Sequence, residues 1–236
     1  MPLVSTFELV VKRIAPIDNL GALPPAIAKK LEEVARRVVQ GYFLTIANTT
    51  NSVAVLRLEF ITTTPDLNLD DTVIALDITG KNEFGDLKKV PSDPRKFTFD
   101  FKIPAHDTGL VTLLPDLGNL DFLKGGKDLE LRGYVKISRL ALRGPTYELL
   151  VTPEQRGTFL PNDLNDRIPD FDQIAYNVPT ASGGSFISLK SLFVSDKFVK
   201  SPLSDNSPAT NDEQELLNLM FERIENLELA ELLDQE

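Results

Sequence analysis

The stretch Lys96-Phe-Thr-Phe-Asp-Phe-Lys-Ile103 decides the fold class of this chain. Apolar residues occupy every second position in it, and polar or charged residues stand between them. Successive side chains of a β-strand point to opposite faces, so the pattern predicts a strand with one buried and one solvated face. The three phenylalanines would then form part of a hydrophobic core.

The same period of two recurs along the chain, most clearly in residues 54–60 and 129–138. Further strand candidates lie at 3–14, 42–48, 72–79, 109–114, 146–151, 171–178 and 185–194. Few helical stretches separate these segments, which favours antiparallel pairing over parallel strands joined by helices. The predicted fold is mainly β, an antiparallel two-layer β-sandwich formed by residues 1–200.

A helix is predicted as an insertion at residues 24–40. Pro24 suits the first turn of a helix, and Gly41 suits the position just past its end. At helical spacing an apolar stripe is formed by Ile27, Leu31, Val34 and Val38. We expect this helix to pack outside the sheets, across one end or edge of the sandwich.

A second, C-terminal helix is predicted at residues 212–236, after a linker at 201–211 that is rich in serine and proline. At 100° per residue one arc of about 140° contains Leu216, Leu217, Met220, Phe221, Ile224 and Leu227. The residues expected to dock on a partner are Leu217, Met220, Phe221, Ile224 and Leu227. An exposed amphipathic helix commonly enters a groove on a partner protein or a second subunit, and the alternative is that it packs on its own body.

Charge is concentrated at the C-terminal end of the chain. The net charge is −10, and residues 205–236 hold ten acidic residues against one basic residue. Residues 1–204 are therefore close to neutral, at −1. No basic stripe is present to hold phosphates, so the composition argues against nucleic-acid binding. The basic side chains expected to complement the acidic helix are Lys29, Lys30, Arg36 and Arg37.

Composition also limits the kinds of cofactor that the chain can bind and indicates its location in the cell. The chain has no cysteine, which excludes disulfides, thiolate metal sites and cysteine nucleophiles. No stretch reaches the length of a membrane span, and the first residues do not resemble a signal peptide. We therefore expect no cofactor, no membrane insertion and a cytoplasmic location.

Residues 42–151 resemble bacterial immunoglobulin-like domains. The resemblance rests on the strand Leu44-Thr-Ile-Ala-Asn-Thr-Thr50, on the strand at 54–60, and on Phe101-Lys-Ile-Pro-Ala-His-Asp-Thr-Gly-Leu-Val111. Such domains often have a strand that ends in Asn-Thr, and a Pro-x-x-x-Thr turn that leads into the next strand. The resemblance implies a β-sandwich and transfers no active site, because one fold can carry many functions.

The residues that could catalyse a reaction are few. His106 is the only histidine, and the neighbouring Asp107 invites a general-base interpretation. A serine on a strained Gly-x-Ser-x-Gly turn is absent, so we interpret His106 as part of a solvated turn between two strands. A pair of carboxylates with glycosidase spacing is not excluded by counting, because such a pair is defined by its separation in space.

Two acidic clusters are candidate calcium sites. Asp66, Asn68 and Asp70 match the first ligand positions of a calcium loop, but Asp71 stands where that loop needs glycine. The second cluster has irregular spacing and comprises Asn162, Asp163, Asn165, Asp166, Asp170 and Asp172. Side chains of this kind in turns usually bond their own backbone, which is the alternative interpretation of both clusters.

Three functions remain open from the sequence. The favoured hypothesis is a non-enzymatic structural or protein-interaction module, with a rigid β body and a helix that docks on a partner or neighbouring subunit. The second is an accessory module that binds carbohydrate or calcium, and a concave, aromatic-lined sheet face would favour it. The third is a hydrolase with a carboxylate pair.

Overall fold

The computed structural model describes residues 1–14, 23–63, 68–161 and 171–191. The predicted linker and C-terminal helix lie outside these residues, as do Asp66 and most of the second acidic cluster. The chain divides into two units, residues 1–194 and 195–236, and the described residues all belong to the first. The linker and the helix therefore stay predictions.

The described residues form a mainly β structure with few helices. Its strands are β1 (Leu3–Arg13), β2 (Arg37–Asn48), β3 (Ala54–Thr62), β4 (Thr72–Ile78), β5 (Lys81–Gly85), β6 (Lys88–Lys89), β7 (Lys96–Ile103), β8 (Thr108–Pro115), β9 (Leu129–Arg139), β10 (Tyr147–Phe159), β11 (Asp172–Asn177) and β12 (Phe186–Leu189). The helices are α1 (Pro25–Val34), a 3-10 turn (Leu69–Asp71) and α2 (Leu120–Lys124). Every strand pairing among them is antiparallel, which confirms that part of the prediction.

Strand β2 holds the sheet together because it pairs with three others. One edge pairs with β10 from Val38 to Asn48. The other edge pairs with β1 over Arg37–Gln40 and then with β8 over Tyr42–Ala47. The change of partner occurs at Gly41, where an added Cβ would lie 2.9 Å from the carbonyl oxygen of Leu113 in β8. Only glycine allows that approach without a shift of backbone.

From Gly41, where β2 changes partner, the sheet extends in two directions, and we call these two parts its arms. One continues through β8 and β4 to β5, and the other continues through β1, β9, β3 and β7 to β6. The sheet is continuous and curled, so its arms enclose the core. Tyr42 of β2 meets Phe60 of β3 at 6.3 Å between ring centroids, although these strands do not pair. The strands are joined in one hydrogen-bonded sheet, and this arrangement does not establish the separate two-layer sandwich that the sequence predicts.

Inward residues of the predicted strands form the core. Phe97, Phe99, Phe101 and Ile103 are all buried, in agreement with the alternation that predicted β7. The corresponding residues of β3, from Ala54 to Phe60, are also buried. Burying an aromatic side chain contributes on the order of 2–3 kcal/mol, so these positions account for much of the stability.

The helix predicted at 24–40 is wrong in its second half. α1 ends at Val34, and Arg37–Gln40 begin β2. The β-branched Val38 and Val39 favour the strand, where Val38 is buried between β1 and β10. α1 lies between β1 and β2 in the chain, and most of its described side chains are exposed, as expected of an insertion.

Two strands and the second half of a third were not predicted. β5 and β6 are exposed edge segments without apolar alternation. β4 and β5 are joined by a two-residue turn, Thr79-Gly80, with both residues at positive φ. β10 continues past Pro153 to Phe159. Proline has no backbone N–H to donate to a neighbouring strand, yet Pro153 keeps its place in the ladder, opposite Leu44 of β2.

Asn48 connects the turn that follows β2 to the turn between β7 and β8. Its side chain is 1% exposed. The amide nitrogen donates to the carbonyl oxygens of Ser52 at 2.8 Å, Ile103 at 3.2 Å and Pro104 at 2.9 Å. The amide oxygen accepts from the backbone N–H of Thr50 at 3.1 Å and from its hydroxyl at 2.5 Å. One buried amide therefore satisfies groups in two turns.

Replacing Asn48 by alanine should lower the free energy of unfolding by about 3 kcal/mol, because several buried polar groups lose their partner. Urea denaturation of the full chain measures this. Asn51→Ala is the matched control, since exposed Asn51 makes one side-chain hydrogen bond, to His106, and its loss should cost less than about 0.5 kcal/mol. Equal stabilities for the two variants would contradict the structural role assigned to Asn48.

Candidate functional site

An open groove lies on the outer side of β1 and β9, beside the chain segment 176–181. Two cavities of about 570 Å³ and about 710 Å³ form it. Thr6, Tyr134 and Pro179 line both cavities, so the two are continuous there. We call the combined space the tyrosine groove, because Tyr134 and Tyr176 are its exposed aromatic side chains, at 37% and 44% exposure.

Strand alternation places the floor of the tyrosine groove. In β1, Phe7 and Leu9 point into the core, so Thr6 and Glu8 point outward. In β9, Val135 is buried and the neighbouring Tyr134 is outward. Thr6 lies directly opposite Tyr134 in the ladder, which brings the two side chains together on the outer face.

The wall of the groove is the segment that follows β11. Its position is fixed by two backbone hydrogen bonds, from Val178 N–H to the carbonyl oxygen of Pro153 at 2.9 Å and from Ala181 N–H to that of Val4 at 2.8 Å. The segment thus passes from β10 to β1. Tyr176, near the end of β11, and Pro179, in the segment after it, both line the groove.

The edge of β1 beside this wall is free of strand pairing in the described residues. Just after β1, Ile14 N–H donates to the carbonyl oxygen of Arg36, which precedes β2. Backbone groups of alternate residues point to the same edge of a strand, so the even-numbered residues of β1 direct their N–H and C=O groups toward the edge that faces β2. β2 covers the edge only from Val10 onward. Thr6 therefore directs its N–H and C=O toward the gap where the sheet divides, beside the groove.

Gln155 covers the next position of this edge. Its side chain is 3% exposed. In the amide orientation that satisfies all partners, its nitrogen donates to the carbonyl oxygens of Glu8 and Gly41 at 3.0 and 2.7 Å, and its oxygen accepts from Glu8 N–H at 2.8 Å. The side-chain amide thus makes the hydrogen bonds to Glu8 that a peptide group of a neighbouring strand would make. Thr6 lies between this contact and the contact of Ala181 with Val4.

Charged groups at the mouth of the groove neutralise one another. Arg132 pairs with Glu8 at 2.6 Å and also with Glu130. The hydrogen bond and charge of Glu8 raise the pKa of the Arg132 guanidinium. The hydrogen bond from Lys12, together with nearby positive charge, lowers the pKa of Glu130. Because Lys12 and Arg132 are already paired with Glu8 and Glu130, neither cation favours an anion in the groove.

Ser5 and Tyr42 lie under the groove floor and form a buried pair. Ser5 lines the larger cavity, and its hydroxyl is hydrogen-bonded to that of Tyr42 at 2.8 Å. Tyr42 is fully buried and packs its ring against Phe7 at 6.1 Å. Burial raises the pKa of the Tyr42 phenol well above its usual value, and the Ser5 hydrogen bond opposes that shift in part.

His106 lies where the sequence predicts, in the exposed turn between β7 and β8. Its backbone has a positive φ of 57°, and its Nε2 is hydrogen-bonded to Asn51 Oδ1 at 2.5 Å. The ring therefore holds two neighbouring turns together. It is remote in the chain and in the sheet from the residues that line the tyrosine groove.

The calcium candidates have structural contacts of their own. Asn68 accepts a hydrogen bond from Asp70 N–H at 3.2 Å and caps the 3-10 turn. Asp71 is buried, and each of its two carboxylate oxygens accepts a hydrogen bond from Lys127 Nζ at 2.6 Å. Asp172, from the second cluster, pairs with Arg36. Among the described residues no group of three or more potential ligands is placed to hold a metal ion.

Arg36 and Arg37, two of the four basic residues expected to complement the acidic helix, are both engaged by other described segments. Arg36 donates to the carbonyl oxygens of Leu160 and Phe159, and Arg37 donates to that of Phe122 at 2.7 Å. Arg37 also pairs with Asp128 at 2.7 Å. Both side chains hold neighbouring segments together. The docking residues predicted between Leu217 and Leu227 lie outside the described residues.

Sequence reasoning missed the tyrosine groove. The alternation in residues 129–138 does place Tyr134 on the outer face, and Tyr176 lies in a predicted strand. Their approach depends on the pairing of β1 with β9, on the pairing of β10 with β11, and on the path of the chain after β11. Both are long-range features that local periodicity does not contain.

Comparisons with known proteins add little. No family and no curated protein matches the sequence. Similar solved structures include the collagen-binding subdomain of the Enterococcus faecalis surface protein ACE, at 10% identity and a TM-score of 0.20, covering 58% of this chain and 86% of that one. Another is AvmM, which catalyses macrocyclization in alchivemycin A biosynthesis, at 6% identity and a TM-score of 0.20, covering 59% and 79%. Similarity this low carries no argument about either fold or ligand.

The described helices are all too short or too polar to cross a membrane.

The buried Tyr42 phenol should make stability fall at alkaline pH. The folded pKa is raised, so its contribution is complete below the unfolded pKa of about 10 and is lost as the pH rises above that value. Above pH ~10 the free energy of unfolding should therefore fall more steeply in the wild type than in Tyr42→Phe, by up to about 1.4 kcal/mol per pH unit. Urea denaturation between pH 9 and 11 measures both slopes, and parallel slopes would contradict the assignment.

Proposed function

We propose that this chain is a non-catalytic binding module that holds an extended polypeptide segment in the tyrosine groove. The observation that carries the proposal is the edge of β1 at Thr6, which no strand of the described residues pairs with and which lies where two cavities lined by exposed aromatic side chains meet. The immunoglobulin-like sandwich expected from residues 42–151 and the cytoplasmic location remain part of this proposal.

An extended peptide matches the geometry of this edge. A β-strand that adds to a sheet edge bonds through its main chain, and its alternate side chains enter pockets. One peptide unit would bond the N–H and C=O of Thr6, while side chains on either side would enter the two cavities. The volumes, about 570 Å³ and about 710 Å³, are in the range of ligand sites.

The lining indicates which side chains the groove would accept. Tyr134 and Tyr176 offer apolar faces with hydroxyl ends, and Pro179 and Leu3 add apolar surface. The charges of Arg132 are already balanced by Glu8 and Glu130. Uncharged, partly apolar segments should therefore bind better than acidic or basic ones, whose charge would find no free partner.

A carbohydrate could also stack on exposed tyrosines. Sugar hydroxyls can also bond a backbone N–H or C=O, but only an extended peptide pairs with both groups through its own main chain, in the register of an added strand. This contrast makes the main chain of Thr6 the place to test the proposal.

Binding should depend on the two tyrosines. Tyr134→Ala and Tyr176→Ala should each weaken capture of uncharged, extended ten-residue peptides from an immobilised random library by about tenfold or more, because truncating a central aromatic costs about 1–2 kcal/mol or more. Phe84→Ala is the matched control, since Phe84 is 81% exposed on β5, away from the groove. Calorimetry with the best peptide measures each affinity.

The main-chain contact should depend on the nitrogen of Thr6. Thr6→Pro removes the N–H from the edge that faces the groove, a position where proline is tolerated in edge strands, whereas Thr6→Ala keeps it. The first variant should lose peptide binding and the second should keep it, with circular dichroism and the melting temperature as checks of folding. Equal affinities would contradict main-chain pairing, and binding of soluble oligosaccharides instead of peptides would replace the ligand class.

The C-terminal segment is a second proposed docking element. Its sequence supports an amphipathic helix that docks on a partner protein or a neighbouring subunit through Leu217, Met220, Phe221, Ile224 and Leu227. This docking is proposed from the apolar arc alone.

Replacing Phe221 and Ile224 together by aspartate should abolish that docking, since burying unpaired carboxylates costs several kcal/mol. Asn218→Asp with Asn226→Asp is the matched control, because it adds the same charge outside the apolar arc. Light scattering measures the mass of complexes formed by each variant. If the two double variants behave alike, the apolar arc has no docking role.

A further inference from the structure

The edge of β1 beside the tyrosine groove is open over a short length. Toward the start of β1, the carbonyl oxygen of Val4 accepts the N–H of Ala181 at 2.8 Å. Toward its end, the side chain of Gln155 bonds the N–H and the C=O of Glu8 at 2.8 and 3.0 Å. Thr6 lies between these two contacts and directs its N–H and C=O to the same edge. Within the described residues the edge therefore offers both groups of one residue.

This short opening limits where a bound peptide needs an N–H. In an antiparallel pair, one residue of the added strand exchanges both hydrogen bonds with the residue opposite, and the next such residues lie two positions away on each strand. We call the ligand residue opposite Thr6 the central residue. The N–H of the second residue before it would reach the carbonyl oxygen of Glu8, and that of the second residue after it would reach Val4. Both oxygens already accept a hydrogen bond within the chain.

The same two ligand positions face the cavities of the groove. Every second side chain of a strand points to the same face, so the second residues before and after the central one share the outward side of Thr6. One cavity extends along β1 toward Glu8 and the other toward Leu3, and Tyr134 and Pro179 line both. Aromatic-lined grooves are the surfaces on which proline-rich extended segments dock.

We propose that the tyrosine groove selects an uncharged segment with prolines at the second residue before and the second residue after one central, non-proline residue. This inference rests on the proposed peptide binding and names the class of peptide. Proline has no N–H, so it loses nothing where β1 accepts no further hydrogen bond. It also fixes its own φ and holds the residue before it in an extended conformation, which lowers the entropy lost on binding. The central residue keeps its N–H for Thr6.

Calorimetry of the full chain with three blocked, uncharged ten-residue peptides tests the inference. Their centres are Pro-Ala-Leu-Ala-Pro, Ala-Ala-Leu-Ala-Ala and Pro-Ala-(N-methyl-Leu)-Ala-Pro, within identical Ser-Gly flanks. The first should bind about fivefold more tightly than the second, because each proline lowers the entropy of the free segment. The third should bind no more tightly than the second, because its central residue has no N–H and any other register moves the prolines away from the cavities.

Gln155→Leu tests both the cause of the selection and the direction of the segment. The variant keeps a side chain of similar size and frees the N–H and C=O of Glu8 for a ligand. Two further peptides, each with one of the prolines, separate the two positions. The gain from the proline before the central residue should disappear, because an N–H there would now bond Glu8. The gain from the proline after it should remain, since Ala181 still bonds Val4. Circular dichroism and the melting temperature check folding.

Other results overturn the inference. Equal or tighter binding of the alanine peptide by the wild type would do so without any variant, which covers the case of a Gln155→Leu chain that fails to fold. A folded Gln155→Leu chain that keeps both gains would show that Gln155 does not limit the edge, and loss of the other gain would show parallel pairing. Binding that depends on Tyr134 but not on proline would leave the proposed peptide binding intact, whereas failure of every peptide to bind would remove both proposals.

Discussion

The change of partner along one edge of β2 is the constraint on which the described structure depends. A single strand joins β10 along one side, and β1 and then β8 along the other. Because β1 and β8 leave the same edge in different arms, the sheet curls and its apolar faces close around a common core. Glycine at position 41 permits the approach of β8, and the amide of Gln155 supplies the hydrogen bonds that β1 loses when it departs. Gln155 bonds the N–H and C=O of Glu8 but not those of Thr6, and the groove lies beside Thr6.

Much of the strand content could be predicted from local pattern. The alternation at 96–103 predicts a strand whose phenylalanines are buried, and they are. The helix predicted to run to residue 40 failed because Val38 fits both a helical stripe and a strand, and only pairing with β1 and β10 decides between them. β5 was missed because an exposed edge strand has no buried face and hence no period of two.

The candidate site was less predictable than the fold for a physical reason. His106 could be assigned to a turn from its neighbours in the chain, since turn formation is local. The tyrosine groove joins residues from β1, β9, β11 and the segment after β11, which meet only through tertiary pairing. For the basic residues Arg36 and Arg37, the sequence did not reveal their tertiary contacts. Their charge suggested a free surface, but backbone carbonyl oxygens of distant segments occupy both guanidinium groups.

The placement of the tyrosines has a spectroscopic consequence. The chain has four tyrosines and no tryptophan. Tyr42 and Tyr147 are buried, and the two exposed ones, Tyr134 and Tyr176, both line the same groove. Ultraviolet emission quenched by a soluble collisional quencher such as iodide therefore comes from this one surface. The unlabelled protein thus carries an intrinsic fluorophore at its candidate site, and shielding of that emission would report occupancy directly.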